Sequence, residues 1–208
     1  MSTKEATVQT TVTSTRKVAS IGMFAAIAAV LMFFEFPLPV APAFYKLDFS
    51  EVPVLIGTFC YGPVAGILIE LVKILVKTVI KGTSTAFVGE IANFAIGCAM
   101  IVPAGIIYKL KKTRKRAIIG LITGTLVMAF VGAFLNAYVL LPAYSVAYGM
   151  PIDALVGMGA AINASVTDVL SFAMLLVVPF NLIKGVVVSV LTLLLYKHIS
   201  RLIKGANN

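Results

Sequence analysis

Asn181 and Lys184 interrupt a stretch that is otherwise almost pure hydrocarbon, from Val166 to about Ile203. Three residues apart, they share one face of a helix. An amide that both donates and accepts, beside an ammonium that only donates, suits recognition of a polar ligand edge. Ionisable groups inside apolar membrane segments are costly and turn toward a protein interior or a cavity. The structural alternative is a lysine snorkelling to the nearest interface. Asn136 in the fifth apolar run and Glu90 and Asn93 in the fourth extend the set. At 1.5 Å of rise per residue from the cytoplasmic ends, Lys184, Asn136, Glu90 and Asn93 lie roughly 22–28 Å above the inner boundary. Groups from three runs at one depth could read a flat, partly apolar ligand; without a ligand they would form an interhelical hydrogen-bond network. Lys184 favours the ligand, because a cation near a helix N-terminus meets the unfavourable end of the macrodipole.

Little else in the chain offers chemistry. His198 is the single histidine and sits among basic residues as an interfacial side chain; no metal-ligand cluster and no catalytic constellation are visible. No G-x-x-x-x-G-K-[ST] loop occurs, so the chain lacks that kind of phosphate cradle, and energy for any transport comes from other subunits or a gradient. Cys60 and Cys98 lie in apolar runs as packing residues. Glu70 and Lys73, with Lys77 one turn on, read as an intramembrane ion pair or as a contact to ligand or partner.

The elements that carry these residues must be membrane helices. The chain has 208 residues, is 60% hydrophobic and only 12% charged, with a mean hydropathy of +1.04. A crossing needs roughly 20 apolar residues, and the chain has room for about six. We expect an all-α integral membrane protein with six transmembrane helices: one domain over 16–208 after a disordered cytoplasmic tail at 1–15. The runs are 18–36, 49–61 (short), 64–80 after the Gly62-Pro63 turn, 86–108, 117–141 ended by Pro142, and a sixth beginning near Pro179. A helix over 166–203 would extend roughly 55 Å against a hydrocarbon core of about 30 Å. Pro179 is therefore the expected division, with 166–178 as a separate piece on the outer side and one long kinked helix as the alternative. The net charge of +9 reflects basic residues at the ends of runs rather than a nucleic-acid surface. With the cluster at 109–116 cytoplasmic, twelve of the seventeen Lys and Arg lie inside, and both termini are cytoplasmic. In the first run Gly22, Ala25, Ala26 and Ala29 form a small-residue face that another helix could approach closely.

Several stretches resemble one family. Tyr45-Lys46-Leu47-Asp48-Phe49-Ser50-Glu51-Val52-Pro53, Tyr61-Gly62-Pro63-Val64-Ala65-Gly66, Gly89-Glu90-Ile91-Ala92-Asn93-Phe94 and Pro179-Phe180-Asn181-Leu182-Ile183-Lys184-Gly185 are similar to the riboflavin-specific substrate-binding (S) components of energy-coupling factor (ECF) transporters, the RibU family. The likeness covers the chain outside its polar N-terminus. It implies a six-helix S-component fold in the cell membrane, multi-pass, with riboflavin bound near the extracellular side as transported ligand and no cofactor. It implies that Asn181, Lys184 and Asn136 hydrogen-bond the polar edge of the isoalloxazine ring, and that Leu47, Asp48 and Phe49 cover or contact the ligand. Ala25 and Ala29 fit an Ala-x-x-x-Ala pattern that meets a transmembrane coupling subunit, which works with two cytoplasmic ATPase subunits. The rival readings are an S component for another vitamin or for FMN, and a stand-alone secondary transporter. For FMN the outer loops are poor in basic groups. A secondary transporter of the usual kind would be longer and show an internal repeat.

Overall fold

The fold is a bundle of helices in which the shortest of the long-range packers, α2, is the most buried. A computed structural model describes residues 15–83 and 85–196 in full, and the backbone of helical residues 3–14 and 197–205. The tail expected at 1–15, apart from Thr15, and His198 with the basic residues after it lie outside the fully described residues. In chain order come α1 (Thr3–Met32), strands β1 (Phe36–Pro37) and β2 (Lys46–Leu47), α2 (Glu51–Tyr61), α3 (Pro63–Lys81), α4 (Val88–Leu110), α5 (Arg114–Leu135), α6 (Leu141–Tyr148), α7 (Ile152–Ala160), α8 (Val169–Phe172) and α9 (Val178–Gly205).

Every residue of α2 from Glu51 to Cys60 is buried, because α1, α3, α4 and α9 all pack around it. At 11 residues and about 1.5 Å each, α2 is too short to cross a core of about 30 Å. It turns into α3 at Gly62, whose φ of 92° suits a residue without a Cβ, and Pro63 then starts α3 where its missing N–H costs nothing. Small residues let the other helices close up: a Cβ added at Gly120 would lie 2.8 Å from the Ala104 carbonyl oxygen, and at Gly124 2.5 Å from that of Met100. So α4 and α5 meet backbone to backbone, as small-residue faces allow in membranes.

Four helical stretches among the described residues are long and apolar enough to cross a bilayer: Thr15–Met32, Val88–Leu110, Arg114–Tyr148 and Val169–Tyr196. The boundaries of the last two correct the expectation from proline. Helix continues through both Pro142 and Pro179, each time because a π-helical turn comes first: Asn136–Leu140 before Pro142 and Ala173–Val177 before Pro179. Leu141 N–H bonds the Asn136 carbonyl and Val178 N–H that of Ala173, a wider i→i−5 step. The proline ring clashes with the carbonyl four residues back in a regular α-helix; the wide turn displaces that carbonyl without ending the helix. The stretch at 166–178 is thus joined to the sixth run rather than separate from it.

Sequence reasoning also missed the small antiparallel ladder in the first loop, where Phe36 pairs with Leu47 and Pro37 with Lys46. The small-residue face of α1 divides. Ala25 and Ala29 are buried against the chain's own core, whereas Gly22 and Ala26 are exposed. Ala25 belongs to the same apolar cluster as Leu55, Phe59 and Ile69. Ala25 and Ala29 thus face α2 and α3 within this chain, while Gly22 and Ala26 face outward.

Candidate ligand-binding site

Along α5 and α9 a polar layer separates two apolar clusters. Met128 and Val188 belong to one, with Phe59 and Tyr108; Leu140 and Val177 belong to the other, with Tyr144 and Phe172. Between them lie Asn136, Asn181 and Lys184, all buried. Buried amides and ammonium groups need partners, and the backbone supplies some of them. Asn136 Nδ2 donates to the Gly132 carbonyl at 2.7 Å and Asn181 Nδ2 to that of Val177 at 3.0 Å. A Cβ at Gly132 would lie 2.5 Å from Asn181 Nδ2, so only glycine lets α5 come this near the amide. The Tyr45 hydroxyl donates to Asn136 Oδ1, tying the first loop to the π-helical turn that follows α5.

Lys184 is held by the same loop. Its Nζ lies 3.3 Å from Asp48 Oδ2. Asp48 Oδ1 accepts from the Ser50 backbone N–H at 2.8 Å and from the Ser50 hydroxyl. Lys73 Nζ then donates to Ser50 Oγ at 3.1 Å and pairs with Glu51 Oε1 at 3.0 Å and Glu70 Oε2 at 2.7 Å. Asp48, Ser50, Glu51, Glu70, Lys73 and Lys184 are all buried. Three carboxylates and two ammonium groups, contributed by the loop, α2, α3 and α9, form one connected network. Glu70 and Lys73 are the ion pair expected from their spacing; its extension to Ser50 and Asp48 was not legible.

Asp48, Glu51 and Lys184 of this network face a cavity of about 390 Å³, within the usual range for small-molecule sites of roughly 300–1,000 Å³. Asn136, Asn181, Lys184, Asp48, Glu90 and Asn93 all line it, so the structure brings together six of the eight ligand residues expected from the sequence. Leu47 and Phe49 do not line it. Leu47 is buried with Ala41 and Phe180 beneath the loop, and the Phe49 ring lies 6.0 Å from Phe36; the two-residue ladder turns Leu47 inward. Glu90 Oε2 accepts from the hydroxyls of Thr83 at 2.9 Å and Thr85 at 3.0 Å.

The apolar walls are aromatic. Tyr45 lies 4.6 Å from Phe44 and 5.6 Å from Phe180, Phe44 lies 5.6 Å from Tyr144, and Tyr144 stacks on Tyr148 at 5.7 Å. Tyr144 and Tyr148 follow Leu140 at four-residue steps, a shared helical face that a helix ending at Pro142 would not have. At the rim, Glu35 gathers Lys81 at 2.5 Å, Lys46 at 3.1 Å and Lys77 at 3.8 Å. Partial burial opposes its charge, but hydrogen bonds from Lys81 and Lys46 outweigh that and hold the carboxyl below its usual range. Three lysines thus meet one carboxylate beside the cavity, two of them delivered by α3 rather than by the outer loops.

Residues 16–196 match the family described as ECF transporter, substrate-specific component. A riboflavin transporter, RibU, of Staphylococcus aureus is 39% identical over 189 residues, covering 91% of this chain and 93% of the relative. A riboflavin transporter, FmnP, of Bacillus subtilis is 33% identical over 182 residues, covering 87% and 90%. A solved structure described as the S component of a bacterial ECF transporter superposes with a TM-score of 0.71 at 38% identity, covering 92% of this chain and 99% of that one.

Proposed function

This chain belongs to the family of ECF transporter substrate-specific components, and on that premise we propose that its cavity binds riboflavin for import. It is a transport component and not an enzyme. The observation that carries the ligand is the meeting of Asn136, Asn181 and Lys184 with the aromatic walls of Tyr45, Phe44 and Tyr144 in one cavity. Riboflavin has a flat three-ring system whose polar edge carries carbonyls and one N–H, and a tail of hydroxyls. Amides and an ammonium answer the edge, aromatic side chains suit the ring faces, and Glu90 and Asn93 offer α4 groups to hydroxyls. Asp48 orients Lys184. The purified protein is expected to quench riboflavin fluorescence saturably; absence of quenching, together with capture of a different vitamin, would remove the substrate assignment.

Six helices in the membrane, with both termini cytoplasmic, form the topology we favour. Charge asymmetry supports it, and α2 and α3 would then make the second and third passages as a pair broken at Gly62. Burial by the surrounding helices supports α2 as an incomplete crossing shielded from lipid. The setting is the cell membrane, multi-pass. Import draws on a transmembrane coupling subunit and two cytoplasmic ATPase subunits, since the chain carries no P-loop of its own.

The docking surface on α1 is its outward side, Gly22 and Ala26 flanked by Met23, Ile27 and Val30, all exposed. Ala26→Trp is expected to leave riboflavin affinity within about twofold and to prevent co-purification with the coupling subunit. Normal assembly of that variant would move the contact elsewhere. A second reading, in which FMN is also a substrate, is favoured by Lys46, Lys77 and Lys81 around the single carboxylate Glu35. Competition of FMN against bound riboflavin decides it.

A further inference from the structure

Resting on the vitamin reading above, we infer that Glu51 is a further ligand-binding residue, accepting a hydrogen bond from an N–H or O–H of the flavin. Glu51 lines the cavity and is completely buried. Its Oε1 is held by Lys73 at 3.0 Å, while its Oε2 has no hydrogen-bond partner among the described residues. A carboxylate oxygen without a partner is an open acceptor. A bare, buried carboxylate oxygen is costly to leave unmade, so a donor must reach it, and the cavity is the side from which one can.

Two neighbours make that approach feasible. Gly97 lines the same cavity, and a Cβ there would lie 3.2 Å from Glu51 Oε1 and 2.5 Å from Glu70 Oε1. A side chain at 97 would press on the carboxylate pair from α4, so only glycine leaves Glu51 and Glu70 this room beside the cavity. Lys73, fixed by Ser50 and Glu70 as well, holds the Glu51 carboxyl so that the free oxygen is preorganised rather than mobile. On the Lys184 side of the cavity, an acceptor next to a donor complements a ligand edge on which N–H and carbonyl alternate, and it equally suits a hydroxyl of the tail.

The test pairs residue and ligand changes. Titrate riboflavin, N3-methylriboflavin (no ring N–H) and lumiflavin (no hydroxyl tail) against the wild type, Glu51→Gln and Glu51→Asp. The aspartate variant keeps the charge that Lys73 needs and draws the oxygens back, so it covers the case in which the glutamine variant does not fold. We expect about tenfold or greater loss of riboflavin affinity in the variants, as for hydrogen bonds to charged groups, with less than about twofold loss for one analogue. Sparing of N3-methylriboflavin identifies the ring N–H as the donor; sparing of lumiflavin identifies a tail hydroxyl. Equal losses for all three ligands, or none, overturn the contact and leave Glu51 as a structural partner of Lys73. A wild type that binds no flavin overturns the vitamin reading instead.

Discussion

Lys73→Met is expected to lower the stability of the solubilised protein by about 3–5 kcal/mol, the usual cost of removing one partner from a buried ion pair. The side chain is wholly buried and is the cation nearest two carboxylates, Glu51 at 3.0 Å and Glu70 at 2.7 Å. It also donates to Ser50 Oγ, which stands at the head of α2 and bonds Asp48. Methionine fills similar space and supplies no donor, so the effect reads charge and hydrogen bonding rather than a cavity. Thermal unfolding without ligand measures it. Adding Glu70→Gln removes one of the stranded charges and should recover part of the loss, a coupling that a double-mutant cycle isolates. A single variant within about 1 kcal/mol of the wild type would mean that the five charged groups do not act as a unit.

Lys184→Met carries the second large effect, on ligand affinity as well as stability. Its Nζ is 3.3 Å from the buried Asp48 carboxylate, so the single substitution strands that carboxylate and removes a charged donor from the cavity. A hydrogen bond to a charged group contributes about 1.5–3 kcal/mol, which converts to roughly ten- to a hundredfold in affinity. The two losses separate in Lys184→Met/Asp48→Asn: the neutral amide needs no cation, so stability returns, whereas riboflavin affinity stays low. Fluorescence titration and thermal unfolding of the two variants read this directly. Recovery of affinity in the double variant would show that Lys184 serves only to neutralise Asp48.

The sequence made the grouping of the polar residues legible and the walls of their cavity only partly so. Rise per residue is nearly constant along a helix, so counting from the cytoplasmic ends grouped Asn136, Lys184, Glu90 and Asn93, and both π-turns lie at or beyond the outer ends of the counted stretches. Facing is less robust. Read as terminators, Pro142 and Pro179 hid the helix that brings Tyr144 and Tyr148 to the cavity, because nothing local announces a π-turn upstream of a proline. Leu47 and Phe49 were expected to cover or contact the ligand, but pairing of Lys46–Leu47 with β1 turns Leu47 inward, and nothing local in the sequence announces that two-residue ladder. On α1, alanine suits both a partner surface and a crowded interior; the packing of α2 and α3 assigns Ala25 and Ala29 to the second. The buried network escaped notice because Ser50 and Glu51 precede an apolar run, where capping is the ordinary role for such residues.

The two π-turns have a consequence for the descent of such proteins. Each holds one residue more than an α-helix of the same rise requires. Loss of a single residue from 173–177 would restore regular spacing and swing the helix above it by about 100° relative to α9, carrying Phe172 away from Tyr45 while Asn181 and Lys184 keep their places below. One codon gained or lost is therefore enough to repack the aromatic cluster that backs the Tyr45 wall of the cavity without disturbing the polar groups below, a short evolutionary step between ligands of different outline.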